Sequence, residues 1–222
     1  GYSIALSGED FVFVGEDEDG EGKIAYSTDG GATFELTEAV PKPGKMQVIP
    51  DEGFDSNRFI YAASSEGKIY RWTIEGSTSW RKLNPPHRSF YGLAQKGGAL
   101  YGAYEWGVDR TLIPHLQTVT EDDWDSLTVG LPEPPEKRVI FKPGTLKAIR
   151  DEAIDLWAID DNKYFNGALD PDVPEYDSNV GRLWVYSDTF VLQSQKSILL
   201  TDSIRCSCDI CTCSAEKFFF CW

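Results

Sequence analysis

Apolar and polar residues alternate along this chain in short runs, and no long stretch carries helical spacing. Phe11-Val12-Phe13-Val14, Phe59-Ile60-Tyr61-Ala62, Ala99-Leu100-Tyr101-Gly102 and Leu156-Trp157-Ala158-Ile159 are the strongest of these runs, recurring 40 to 57 residues apart. Each is followed by turn residues and a further apolar run, a pattern that predicts β-strands joined by tight connections. Around these landmarks the chain divides into four loosely similar units, over residues 4–36, 46–83, 91–124 and 148–186. The first holds an alternation of Ile24, Tyr26 and then Thr33, Phe34, Leu36 about an Asp-Gly-Gly turn. The second holds Met46-Gln47-Val48-Ile49-Pro50, Ile69-Tyr70-Arg71-Trp72 and a hairpin closing on Leu83. The third holds Tyr91-Gly92-Leu93-Ala94 and Thr111-Leu112-Ile113, and the fourth Ala148-Ile149-Arg150 and Leu183-Trp184-Val185-Tyr186. A repeat of this length built from four strands fits the roughly 40–50-residue blade of a β-propeller. The fold class expected is therefore all-β and β-propeller-like, with about four blade units over residues 1–200. Four is few, so the units form a small closed propeller, part of a larger one, or a protomer completed by its neighbours. Unpaired edges would then favour association.

The turn in the first unit carries a sharper motif. Ser27-x-Asp29-x-Gly31-x-Thr33-Phe34 resembles the Asp-box, or BNR repeat, of β-propellers such as sialidases, sortilin-type receptors and xyloglucan hydrolases. An Asp followed by two glycines favours a tight turn on its own account, since the carboxylate accepts backbone N–H bonds and glycine tolerates positive φ. The resemblance implies a structural role for Ser27, Asp29, Gly31, Thr33 and Phe34, because in those families the box lies on the turn away from the ligand face. Residues 76–83 look like a degenerate copy that has lost the Asp. A sialidase-type active site would bring an arginine triad, a Tyr/Glu pair and an acidic Asp. Arginines are present, but the Arg-Ile-Pro sequence that accompanies the triad is not, and Tyr91, Tyr101 and Tyr104 have no identifiable Glu partner. Glu105, Asp109, Asp151, Glu152 and Asp155 are the carboxylates that hydrolysis would draw on.

Charge narrows the partners. Asp and Glu number 36 against 21 Lys and Arg, a formal charge of -15. Such a surface repels nucleic-acid phosphates and anionic lipid headgroups, so neither nucleic acid nor membrane is an expected partner. No apolar run approaches the roughly 20 residues of a transmembrane helix. The chain starts at Gly1 without a visible signal peptide and reads as a mature or excised form, compatible with export; the place expected is secreted or at the cell surface.

Carboxylates gather at residues 16–21, which read as a solvated acidic loop, and in the insertion 160–180. There Asp160, Asp161, Asp170, Asp172 and Asp177 supply the hard oxygens that Ca²⁺ requires, without matching an EF-hand. Trp106, Trp124 and Tyr164 are the aromatics expected to stack on a sugar, whereas Trp72, Trp80, Trp157 and Trp184 fit blade packing. His87 and His115 sit alone near prolines and read as ordinary polar residues. Residues 201–222 break the pattern and form a cysteine- and aromatic-rich tail. Cys206, Cys208, Cys211 and Cys213 there form disulfides, cage Zn²⁺, or belong to an incidental terminus. With no catalytic motif, the expected function is a non-catalytic extracellular binding or self-assembly module. Its partners would be a carbohydrate or protein ligand, or copies of itself. The alternative is a glycoside hydrolase of sialidase or xyloglucanase type.

Overall fold

The structure is a computed structural model and describes residues 1–16, 20–104, 107–127, 146–150, 154–159 and 183–188. It is all-β, a β-propeller of four blades, with helix limited among the described residues to α1 (Phe54–Asn57) and a 3-10 turn at Glu121–Asp123. Blade 1 holds β1 (Ser3–Ser7), β2 (Phe11–Gly15), β3 (Ile24–Ser27) and β4 (Glu35–Leu36). Blade 2 holds β5 (Met46–Pro50), β6 (Phe59–Ser64), β7 (Ile69–Thr73) and β8 (Arg81–Lys82). Blade 3 holds β9 (Gly92–Lys96), β10 (Ala99–Tyr104), β11 (Gly107–Thr111) and β12 (Asp125–Leu127). Blade 4 contributes β13 (Lys147–Arg150), β14 (Ile154–Ile159) and β15 (Leu183–Asp188). Every sheet is an antiparallel meander in chain order. The first strands line up in sequence, β1 against β5, β5 against β9 and β9 against β13.

Burial follows from that order. Residues alternate between the two faces of a strand, and a middle blade is covered on both. All six residues of β10 and all five of β11 are accordingly buried. On β6, Ile60 and Ala62 join Phe13, Ile24, Met46 and Phe54 in the layer shared with blade 1. Tyr61 and Ala63 point the other way, into a layer with Leu83, Phe90, Leu100 and Trp124. A third layer, between blades 3 and 4, holds Tyr101, Ala103, Leu146, Ile154 and Leu156. Among the described residues, the outward faces of the end blades carry exposed apolar side chains. Ile4 and Leu6 on β1 are 70 % and 63 % exposed, and Ile149 and Trp157 on blade 4 are 51 % and 39 % exposed. Trp157, expected to pack within its blade, stands instead on this open face.

The Asp29 turn joins β3 to β4 through the expected chemistry. Gly30 and Gly31 take φ of 71° and 92°, where a side chain would be strained. The Ser27 hydroxyl accepts from the Gly31 N–H at 2.8 Å and donates to Asp29 at 2.7 Å. Asp29 also accepts from the Thr33 N–H at 2.8 Å and the Thr33 hydroxyl at 2.6 Å. Phe34 is half exposed and contributes position rather than core. The Thr33 hydroxyl, then the Thr33 N–H and Ser27, hold the Asp29 carboxyl down at about 2. A carboxylate whose folded-state value is depressed contributes stability above its ordinary value and loses it as pH falls through the folded one. Asp29→Ala should therefore lower Tm at neutral pH, with the gap to wild type closing as pH falls from about 4 to about 2. Thermal scans across that range check it. An equal gap at both ends would mean the turn does not depend on the charge.

The third unit differs from expectation at one strand. The sequence suggests Thr111-Leu112-Ile113, but β11 ends at Thr111. Ile113 and Pro114 already belong to the loop that reaches back to blade 2.

Candidate functional site

Between blades 2 and 3 a cleft of about 690 Å³ opens over the β7–β8 hairpin and the 112–117 loop. Its walls follow from strand register. Arg71 on β7 stands directly across from Arg81 on β8. The hairpin between them runs over Gly76, Ser77, Thr78 and Ser79, and the Ser77 hydroxyl accepts from the Thr73 N–H at 3.0 Å. Phe59 and Trp80 give the cleft its apolar surfaces, while His115 and Gln117 close it from blade 3. Trp80 is half buried. Its ring packs on Trp72, with centroids 5.3 Å apart, and its Nε1 donates to the Glu38 carbonyl at 2.6 Å.

The electrostatics of the cleft run against those of the chain. Arg71 is 6 % exposed. Its guanidinium lies 4.5 Å from the Phe59 ring centre, and Nη1 donates to the carbonyls of Pro114 and Leu116 at 2.5 and 3.0 Å. Arg81 Nη1 donates to the Gln117 carbonyl. Among the described residues lining the cleft there is no carboxylate. Burial pushes the Arg71 guanidinium below its ordinary value; the Arg81 charge adds to the shift, and Tyr61 and Asp51 oppose it. Asp51 itself is engaged elsewhere, accepting from the Tyr61 hydroxyl at 2.8 Å, Gln95 at 2.7 Å and Asn57 at 2.7 Å. The arrangement can hold a polar ligand against an aromatic edge, with hydroxyl and amide partners and two cations. Its described lining does not supply the acid and base of a hydrolase.

Blade 3 repeats the motif with a different outcome. Tyr61 pairs across the strands with Arg71 in blade 2, and Tyr101 pairs with Arg110 in blade 3. Across from Arg110, however, stands Asp125, to which Nη2 donates. Blade 4 supplies Asp188, which accepts from Arg110 Nη1 at 2.7 and 2.8 Å and from the Tyr101 hydroxyl at 2.9 Å. Burial alone would lower the Arg110 guanidinium, but its bonds to Asp125 and Asp188 raise it. The inter-blade arginine of blade 3 is thus neutralised from within the protein.

Of the residues the sequence singles out, Trp124 needs correction as a sugar-stacking residue. It is 7 % exposed, lies in the layer between blades 2 and 3, and donates Nε1 to the Leu83 carbonyl at 2.7 Å. Trp106, Tyr164, the calcium candidates Asp160, Asp161, Asp170, Asp172 and Asp177, and Cys206, Cys208, Cys211 and Cys213 lie outside the described residues. Among the described residues no group of three or more His, Cys, Asp or Glu is placed to hold a metal ion.

His87 is less isolated than the sequence suggests. Its ring stacks on Tyr104 at 3.9 Å between centroids, and Nδ1 lies 2.9 Å from the carboxylate of Asp109, itself fully buried. Ser126 donates to the same carboxylate at 2.7 Å. Asp109, considered from sequence as a hydrolytic carboxylate, is thereby committed to tying the 84–91 loop to β11. The sequence does not set the cleft arginines apart from its other arginines. The repeated Tyr and Arg at corresponding places of units 2 and 3 was the signal that could have found them.

No protein-family model matches the chain, and no curated protein does either. Solved structures similar to it include YCF48 bound to a D1 peptide, at 16% identity and a TM-score of 0.45, covering 73% of this chain and 46% of that one. A nidogen/laminin complex aligns at 13% identity and a TM-score of 0.46, covering 72% and 55%. An ancestral GH74 enzyme aligns at 16% identity and a TM-score of 0.48, covering 72% and 24%. The chain thus spans about half the length of the first two and a quarter of the third.

Proposed function

We propose that the protein is a non-catalytic Asp-box β-propeller, working outside the cell as a binding module, and that its ligand is a saccharide seated in the cleft between blades 2 and 3. The observation that carries this reading is the lining itself: Thr73, Ser77, Thr78, Ser79, Gln117 and Trp80 share one opening. Sugars are recognised by polar groups that satisfy their hydroxyls beside an aromatic face that covers their C–H surface. A peptide would call for apolar side-chain pockets, which this hydroxyl-rich wall offers poorly. The acidic surface supports solubility and an exported life.

The hydrolase alternative would need two carboxylates facing one cleft, and this cleft offers cations and hydroxyls. A glycan array with the wild-type protein and Thr78→Val and Gln117→Leu variants tests the reading. Saturable binding that both variants weaken, with the glycan recovered intact, is the expected result. Cleavage of the bound glycan would overturn the non-catalytic assignment. Asp29→Ala should leave the affinity unchanged, because its turn belongs to blade 1, outside the cleft.

A further inference from the structure

We infer that the saccharide this cleft takes is acidic, and that Arg71 and Arg81 bind its carboxylate; the inference rests on the binding-module reading above. The argument starts from register. Like charges directly across an antiparallel pair repel, and Arg71 and Arg81 are such a pair. One of them is buried, where an unpaired charge is most costly. Carbonyls of Pro114, Leu116 and Gln117 hold one nitrogen of each guanidinium. They supply partial negative charge but no counter-ion.

The protein contains its own control. At the corresponding Tyr–Arg pair of blade 3, the cross-strand position is Asp125 and the neighbouring blade adds Asp188. Blade 2 has Arg81 where blade 3 has Asp125, and the blade 3 loop gives Arg71 carbonyls where blade 4 gives Arg110 a carboxylate. Both substitutions remove negative charge from one inter-blade seat, in a chain with 36 acidic residues against 21 basic ones. Arg71 and Arg81 both line the cleft, Arg71 with 6 % of its surface open. A ligand carboxylate placed there completes for Arg71 and Arg81 what Asp125 and Asp188 complete for Arg110. Guanidinium forks suit this role because they bind a carboxylate with two parallel charge-assisted bonds. The hydroxyl row and Trp80 then receive the rest of a uronate ring.

The test compares a short oligogalacturonate with its fully methyl-esterified form, by calorimetry on the whole chain at low salt. The acid form should bind at least about tenfold more tightly than the ester, a difference of about 1.4 kcal/mol, and the preference should shrink as salt is raised. Arg81→Gln should remove the preference for the acid form. Because Arg81 is exposed and faces a like charge, that variant should melt no lower than wild type without ligand, a readout a purely structural role would not give. Equal binding of acid and ester would overturn the carboxylate inference and leave the binding-module reading standing. Binding of neither form, or of any glycan on the array, would overturn the module reading itself. Binding of an oligoglutamate peptide in place of the oligogalacturonate would overturn the saccharide assignment.

Discussion

Replacing Asp188 by alanine should lower stability by about 3–5 kcal/mol, the range found when one partner of a buried ion pair is removed. Asp188 is 1 % exposed and receives two bonds from Arg110 and one from Tyr101. Without it, a guanidinium 5 % exposed and a buried phenol lose their shared acceptor between blades 3 and 4. The exposed Asp125 remains as a partner for Nη2, but it cannot follow the charge into the interior. Urea unfolding of Asp188→Ala measures the loss. Pairing Asp188→Leu with Arg110→Met should recover much of it, because an apolar pair of similar size does not leave a charge stranded. A loss below about 1 kcal/mol for the single variant would mean that water replaces the carboxylate and that the network is not a buried one.

The second large effect is steric. A Cβ placed on Gly15 would stand 2.1 Å from the Met46 carbonyl oxygen, 2.6 Å from Ser3 Oγ and 2.9 Å from the Met46 carbonyl carbon. This is the seam between blades 1 and 2, where Ser3 donates to the Met46 carbonyl at 2.8 Å and accepts from the Val48 N–H at 3.1 Å. Backbone cannot yield there as a flexible side chain would. Gly15→Val should therefore cost about 3 kcal/mol or more, at the upper end of overpacking penalties. Gly8 is the control. It has φ of +61° and open space around its Cβ position, so Gly8→Ala should cost only about 1 kcal/mol of conformational strain. Urea unfolding of both variants compares them. Equal losses would mean that the seam opens without resistance.

The landmarks that recur in the sequence turn out to be the second strands β2, β6, β10 and β14. They were legible because a strand between two others carries a dense apolar run, and in blades 2 and 3 it is covered on both faces. The Asp29 turn was legible because its chemistry is local: a carboxylate, a hydroxyl and two glycines within five residues. Tryptophan roles were not legible in the same way. Trp124 follows an acidic run and Trp157 lies in an apolar one, yet the first is sealed by a neighbouring blade and the second faces outward from the last described one. The arginine seat depends on register, which sets Arg71 against Arg81 and Arg110 against Asp125. His87 and Asp109 meet across 22 residues of chain. Contacts of that kind come from how blades stack, and composition does not encode them.

The succession of β1 on β5, β5 on β9 and β9 on β13 has a consequence for how damage spreads. Blades joined in series behave as a nearest-neighbour array, in which stability is a sum of unit terms and junction terms. A lesion at the Gly15 seam weakens the first junction and leaves the third largely untouched, and one at Asp188 does the reverse. Damage to one described junction leaves the others standing, and the arginine seat lies at the middle one of the three.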